Sequence, residues 1–232
     1  MKKVVALIPC RKNSKGIPNK NMINFSGKPL IYWTLKSLKD SKIIDDVYVT
    51  SDSDRILNYS KKFKVKTIKR PNKLATSKSM SENAIMHAIK KIKINYDYIV
   101  FAQVTSPLRP KNIFDKSLKY FFKNKFDSLF SSTKVKNNFL WKMKGIKLNP
   151  NYNIKHRKMR QQINNIYCEN GSFYIFSKKG FLKNKNRLFG KIGTYELDKV
   201  YASDIDEIID LKLCELIKKN LIKKNVWKKK YI

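Results

Sequence analysis

The sequence is short of several things, and each shortage removes a class of protein. Its three cysteines, Cys10, Cys168 and Cys214, form no CxxC pair and have no neighbouring histidine. An odd, scattered set of that kind excludes a disulfide framework and a zinc site, and a reducing cytoplasm is the expected compartment. Long apolar runs are missing too, whereas a bilayer crossing needs roughly 20 residues, so no membrane span is expected. MKKVVALIPC at the start imitates a leader, but its apolar run of about seven residues ends in charged CRKNSK rather than a small-residue cleavage site. It reads as a first buried strand. Neither GxxxxGK[ST] nor GxGxxG occurs, which excludes a Walker loop and a dinucleotide turn.

Acidic residues are scarce: 17 against 52 Lys and Arg, for a net charge of +35. Such an excess points to nucleic acid, an anionic membrane surface or an acidic ligand. The lysines, however, are spread over nearly the whole chain together with Asn and Ile, as in compositional drift rather than one basic face. Nucleic acid is therefore not the expected partner, and a basic nucleic-acid-binding protein is the remote alternative. What is present is 42% apolar content over 232 residues, enough to bury one large core, and a single domain spanning 1–232 is expected.

Short apolar runs alternate with helical patterns in the first half, the arrangement of parallel strands joined by crossover helices. Strands are expected at Val4–Pro9, Asp46–Ser51, Lys64–Lys69, Tyr98–Gln103 and Ser128–Ser132. Helices are expected after Gly27-Lys28-Pro29, over Ser53–Lys61, Ser81–Ile92 and Lys111–Asn124. From about Thr133 to Tyr167 the period is lost among Asn, Lys and isolated aromatics, an excursion from the sheet. A strand then follows at Ser172–Phe176 and a helix at Ile205–Ile222, with Ile209, Leu213, Leu216 and Ile217 as its buried stripe. The last ten residues read as a basic tail.

Three clusters carry chemistry. The first strand runs into PCRKNSKGIPNKN, where Arg11, Lys12, Lys15 and Lys20 surround the single glycine Gly16. Loops at the carboxyl ends of parallel strands are where open α/β sheets bind ligands, and these cations suit polyphosphate. The bland alternative is a solvated basic loop. The second cluster, QVTSPLR, leaves Gln103, Thr105 and Ser106 at the same edge, or is only a strand end and helix cap. In the third, YASDIDEIID, Asp204 and Asp206 are two apart, so an extended segment points both carboxylates to one side. They serve either as an N-cap or as a hard-metal site. His87, on a helix beside its apolar stripe, reads as structural, His156 has no visible partner, and Cys168 has no histidine near it in sequence, so no thiol nucleophile is expected.

In this order the clusters resemble those of the acylneuraminate cytidylyltransferases, the family that includes the CMP-N-acetylneuraminate and CMP-legionaminate synthetases. The likeness spans almost the whole chain and rests on IPCRKNSKGIPNKN, GKPLIYWT, VYVTSDS, the RP of Arg70-Pro71, AQVTSPLR, RQQ followed by ENGSFYI, and SDIDEIIDL. It implies an α/β fold, a Rossmann-like, mostly parallel sheet with helices on both faces of the nucleotide-diphospho-sugar transferase type. It also implies a small dimerisation arm, at about 133–180, reaching into the neighbouring subunit's site of a homodimer.

The implied reaction transfers CMP from CTP to the anomeric hydroxyl of a sialic acid-like nonulosonic acid, releasing pyrophosphate, with Mg²⁺ as cofactor. By the same resemblance Arg11 and Lys20 bind the triphosphate, and Arg11, Asn13 and Ser14 lie on the loop around the nucleotide. Arg70 and Ser81 contact the nucleotide, Gln103, Arg160 and Tyr174 the acidic sugar, and Asp204 and Asp206 the metal, with Arg11, Lys20 and Asp206 serving catalysis. No general base is evident, so deprotonation falls to the metal or to a nearby aspartate. Cys10 and Cys168 depart from the family's usual Ala and Arg. TSPLR favours the sialic and legionaminic branch over the pseudaminic one, and enzymes for the eight-carbon sugar Kdo have a differently built first loop; both remain the alternative substrates.

Overall fold

The first strand, β1 (Val4–Cys10), is buried along nearly its whole length and lies at the heart of a seven-stranded sheet. A run this uniformly apolar belongs to a parallel sheet covered on both faces. The computed structural model describes residues 2–135 and 139–231; the side chains of Arg160 and of 223–231 lie outside that description.

After β1 come the short pair β2 (Asn24–Phe25) and β3 (Lys28–Pro29), then α1 (Leu30–Lys39), β4 (Asp46–Ser51), α2 (Asp54–Lys61) and β5 (Lys66–Lys69). Next are α3 (Ser81–Lys91), β6 (Tyr98–Ala102), α4 (Ile113–Lys123) and β7 (Ser128–Lys134). The chain continues through β8 (Trp141–Lys144), β9 (Lys147–Pro150), β10 (Tyr167–Ser177), α5 (Lys178–Asn184), β11 (Ile192–Glu196) and α6 (Ile208–Tyr231). The sheet order is β11-β7-β10-β6-β1-β4-β5, and every pairing is parallel except those of β10 with β6 and β7. Alternate residues of β1 serve opposite layers. Val4, Ala6 and Ile8 pack with Leu35 of α1, Ile56 of α2, Leu118 of α4 and Cys214 of α6, whereas Val5 and Leu7 pack with Ile85 and Ala88 of α3 and Phe181 of α5. Helices thus cover both faces, as expected.

Several boundaries moved for local reasons. Lys64 adopts φ 54°, so β5 begins at Lys66, and Asn112 adopts φ 57°, so α4 begins at Ile113. The loosely patterned stretch holds a two-stranded hairpin of its own, β8 with β9. Its neighbour β10 is longer than expected, beginning at Tyr167 and passing through a register shift between Glu169 and Tyr174. Thr133, Lys134 and Tyr167 belong to the central sheet, while β8 and β9 form a separate one, so the excursion expected from Thr133 to Tyr167 is trimmed at its two ends.

The stripe expected on the last helix is a correction. Leu211 and Cys214 are buried there and Ile217 packs beside them, while Ile209, Leu213 and Leu216 are 56%, 50% and 58% exposed. That helix carries two apolar faces about a third of a turn apart, and periodicity does not say which one docks. It begins at Ile208 rather than Ile205 and continues through the segment read as a basic tail, whose side chains lie outside the described residues.

Candidate active site

The loop after β1 has no regular structure of its own, so side chains from elsewhere must hold its backbone. Arg70 Nη2 donates to Cys10 O at 2.9 Å, Asn21 Nδ2 to Arg11 O at 2.9 Å, and Lys12 N to Asp52 Oδ1 at 2.8 Å. Arg11 reaches across to the carbonyl of Thr76 at 3.4 Å. Arg70 is only 5% exposed, its Nε is buried without a partner, and burial pushes its pKa down. A buried guanidinium with a spare donor is costly alone and suited to an anion.

The far end of the chain closes the loop. Lys20 is buried, and its ammonium donates to Ile205 O and to Asp206 Oδ1, each at 2.8 Å. Gly16 is where the two segments meet, because a Cβ there would lie 2.2 Å from the carbonyl oxygen of Asp206. The capping alternative for the two aspartates is not what the structure shows. Asp210 accepts from the backbone N–H of Asp206 and of Glu207, at 3.0 and 2.8 Å, so it ties down the start of α6 and leaves Asp204 and Asp206 free for other work.

These pieces enclose a cavity of about 300 Å³ at the carboxyl ends of β1, β5 and β6. Arg11, Ser14, Lys20, Arg70, Ser81, Gln103, Asp204 and Asp206 all line it, with Lys20 and Asp206 joined at 2.8 Å. Such a position is where open α/β sheets hold ligands. Burial pushes the pKa of Asp204 up, and the neighbouring Asp206 adds to that. Gln103 is fixed through its backbone: Arg109 donates to its carbonyl at 2.7 Å while also binding Ser172 O, Ser172 Oγ and Thr34 Oγ1. Burial lowers the Arg109 pKa to about 9, which still leaves it charged at neutral pH.

A second cavity, about 510 Å³, adjoins the first and shares Asp204 with it. Tyr174, Glu169, Cys168, Lys134 and Lys199 line it. The register shift in β10 shapes this wall. Gly171, at φ 70°, lets the chain turn there, and a Cβ would come 3.4 Å from Gln103 Nε2 and 4.0 Å from Asp204 Oδ2. Asn170 accepts from Ser131 Oγ at 2.6 Å and Ser172 N at 3.2 Å, and donates to Thr133 Oγ1 at 3.2 Å, fixing the bulge.

The structure therefore gathers Arg11, Ser14, Lys20, Arg70, Ser81, Gln103, Asp204 and Asp206 around one cavity and sets Tyr174 in the next. Asn13 stays exposed on the loop, outside both walls. The side chain of Arg160 lies outside the described residues. His87 sits in α3 with its Nδ1 buried and unpartnered, and His156 is exposed. Sequence reading missed Asn21, Asp52 and Glu169. All three lay inside quoted motifs, Asn21 in PNKN, Asp52 in VYVTSDS and Glu169 in ENGSFYI, but no motif shows which atoms they bind.

For a magnesium ion the donor set fits. Asp204 and Asp206 offer hard oxygens, and among the described residues no cluster of three or more metal-binding side chains forms a cage. That matches a cation held by one or two carboxylates with substrate phosphates completing its shell. Asp206 would share its carboxylate between the cation and Lys20.

A family model described as Cytidylyltransferase matches residues 5–226. N-acylneuraminate cytidylyltransferase A of Danio rerio is 34% identical over 218 residues, 91% of this chain and 50% of the relative, so the chain spans about half that protein's length. Pseudaminic acid cytidylyltransferase of Campylobacter jejuni subsp. jejuni serotype O:23/36 (strain 81-176) is 29% identical over 227 residues, covering 94% of this chain and 97% of the relative. Among solved structures, CMP:2-keto-3-deoxy-manno-octonic acid synthetase complexed with CTP superposes with a TM-score of 0.71 at 15% identity, over 94% of this chain and 99% of the other. A 4-diphosphocytidyl-2C-methyl-D-erythritol synthase from Anaerococcus prevotii DSM 20548 superposes at 0.67 with 14% identity, over 94% and 99% of the two chains. At those identities the structural likeness speaks for the fold alone.

Proposed function

The chain belongs to the cytidylyltransferase family, and from that premise we propose that it transfers CMP from CTP to the anomeric hydroxyl of an acidic nonulosonic sugar of the sialic acid type. The observation that carries this reading is the convergence of Arg11, Lys20 and Arg70 with Asp204 and Asp206 on one cavity at the strand tips. A polyanionic ligand carrying a divalent cation makes use of both the cations and the carboxylates.

In this reading the triphosphate lies against Arg11 and Arg70, whose forks hold phosphate oxygens, with Lys20 beside them as a point charge. The sugar occupies the adjoining cavity beside Tyr174, with Gln103 reaching it from the first cavity's wall past Gly171. The anomeric oxygen attacks the α-phosphorus, the bond to the bridging oxygen of the β-phosphate breaks, and pyrophosphate leaves. Positioning and charge neutralisation carry most of such a transfer. Asp204 lines both cavities, which places it to take the proton of the attacking hydroxyl. Asp204 and Asp206 would hold Mg²⁺, which supplies neutralisation of phosphate charge and polarisation of the hydroxyl.

A homodimer belongs to the same proposal. Trp141, Met143, Ile146 and Leu148 on the β8–β9 hairpin are 47%, 68%, 103% and 54% exposed, an apolar surface that a second copy would cover. Three free thiols support a reducing, cytoplasmic setting. Among the described residues no helix is long and apolar enough to cross a membrane.

The test is pyrophosphate release from purified protein mixed with CTP, Mg²⁺ and, in turn, N-acetylneuraminic acid, pseudaminic acid and 2-keto-3-deoxy-manno-octonic acid. Release with N-acetylneuraminic acid is expected. Preference for either of the others moves the substrate within the acidic sugars, and none with any of them overturns the proposal.

A further inference from the structure

An acidic side chain in a cavity meant for an acidic sugar needs a reason, above all in a chain with 17 acidic residues against 52 basic ones. Glu169 is such a side chain: it lines the second cavity, opposite in character to Lys134 and Lys199 on the same wall. Although exposed, it is not a loose surface carboxylate. Its Oε1 accepts the phenol hydrogen of Tyr174, a residue only 3% exposed.

The grip continues inward. The Arg187 guanidinium lies over the Tyr174 ring at 4.6 Å and over the Phe101 ring at 5.4 Å. Arg187 Nε pairs with Glu82 Oε1 at 2.9 Å, with side chains only 20% and 17% exposed. Cation–π contact and a largely desolvated ion pair both gain strength away from water, so the ring, and through its hydroxyl the carboxylate, is held in one place. Glu82 is the neighbour of Ser81 on the first cavity's wall, so the brace runs from α3 to the bulge of β10.

We propose that Glu169 is a specificity-determining residue: its carboxylate accepts a hydrogen bond from an N–H or O–H substituent of the sugar and repels the pose that would place the sugar's own carboxylate there. This rests on the reading of the second cavity as the sugar site. Tyr174 and Arg187 act through Glu169 as positioning residues. An acidic sugar then has one orientation, its carboxylate away from Glu169 and its donor-bearing substituent against it. Like charges in contact repel, which disfavours the reversed orientation.

The experiment measures KM for the acid and KM for CTP separately, by pyrophosphate release with the acid that turns over best, in wild type, Glu169→Gln and Tyr174→Phe. Loss of a hydrogen bond to a charged acceptor should raise the acid's KM about tenfold in Glu169→Gln. Tyr174→Phe, which removes only the hydroxyl that steadies the carboxylate, should raise it about threefold. The KM for CTP should move less than twofold in both, a split that general loss of structure does not produce. An acid KM in Glu169→Gln within twofold of wild type, lower than wild type, or rising in step with that for CTP overturns the inference while leaving the transferase reading in place. Wild type inactive with N-acetylneuraminic acid, pseudaminic acid and 2-keto-3-deoxy-manno-octonic acid alike removes both.

Discussion

The strand-tip cavity and the β8–β9 hairpin invert the usual distribution of residues in opposite directions. At the cavity, charge is inside: Lys20 and Arg70 are 7% and 5% exposed. On the hairpin, grease is outside, with Ile146 fully exposed and Trp141, Met143 and Leu148 close behind. Soluble proteins seldom bury cations without partners or expose clustered large apolar groups without cause. The cavity's charges are tied by hydrogen bonds from four parts of the chain, so that region is finished and waits for an anion. The hairpin's contacts among the described residues are local, Leu140 with Asn151 and Trp141 with Tyr152, and they leave those apolar side chains uncovered.

Four experiments would break or sharpen that contrast. The largest effect is expected from Asp206→Asn, which keeps an acceptor for Lys20 but removes a carboxylate. Turnover should fall roughly 10²–10³-fold, while the unfolding midpoint by calorimetry should move by less than about 2 °C, because this side chain is largely solvated. Full activity would show that the acidic pole takes no part. Next comes Arg70→Gln, for which the KM for CTP should rise up to about a hundredfold, as a charge-assisted bond to phosphate is lost. An unchanged KM would make the buried guanidinium merely structural. Smaller again, Trp141→Lys combined with Ile146→Asp should weaken self-association by about tenfold or more. In light scattering it should then shift the species toward the 27.4 kDa chain. Since those residues bury little within one chain, monomer stability should change by no more than about 0.5 kcal/mol. The smallest effect is in thiol labelling. Burial pushes Cys10 up to about 12 and raises Cys214 as well, whereas Cys168 is exposed. A raised pKa keeps a thiol neutral, so at about pH 9, where an ordinary cysteine is largely thiolate, iodoacetamide should modify Cys168 alone until the protein unfolds. Rapid modification of Cys10 in the folded protein would show that the core around the end of β1 opens.

The sequence was legible where a local rule decides. β4 falls at Asp46–Ser51 and α3 at Ser81–Lys91 because apolar period and turn residues act within a few positions. The grouping of Arg11, Lys20, Asp204 and Asp206 was legible for a different reason, since several motifs stood in a recognisable order. What was not legible depends on which atoms meet once the chain has folded, whether the partners are far apart in sequence or joined across a bulge. Nothing around Asp52 announces that it accepts from Lys12 N, and nothing around Glu169 announces a bond to a tyrosine five residues on across a bulge. The docking face of α6 was misassigned for the same reason: Ile209-Leu213-Leu216 and Leu211-Cys214 are equally good stripes until tertiary packing selects one.

The pairing of Lys20 with Asp206 spans 186 positions. During translation the cationic loop leaves the ribosome long before the carboxylate that steadies it, while β1, β4 and β6 between them can already associate. A chain interrupted anywhere short of residue 205 thus leaves the Lys20 ammonium without either of the partners that fix it in the folded protein, the Ile205 carbonyl and the Asp206 carboxylate.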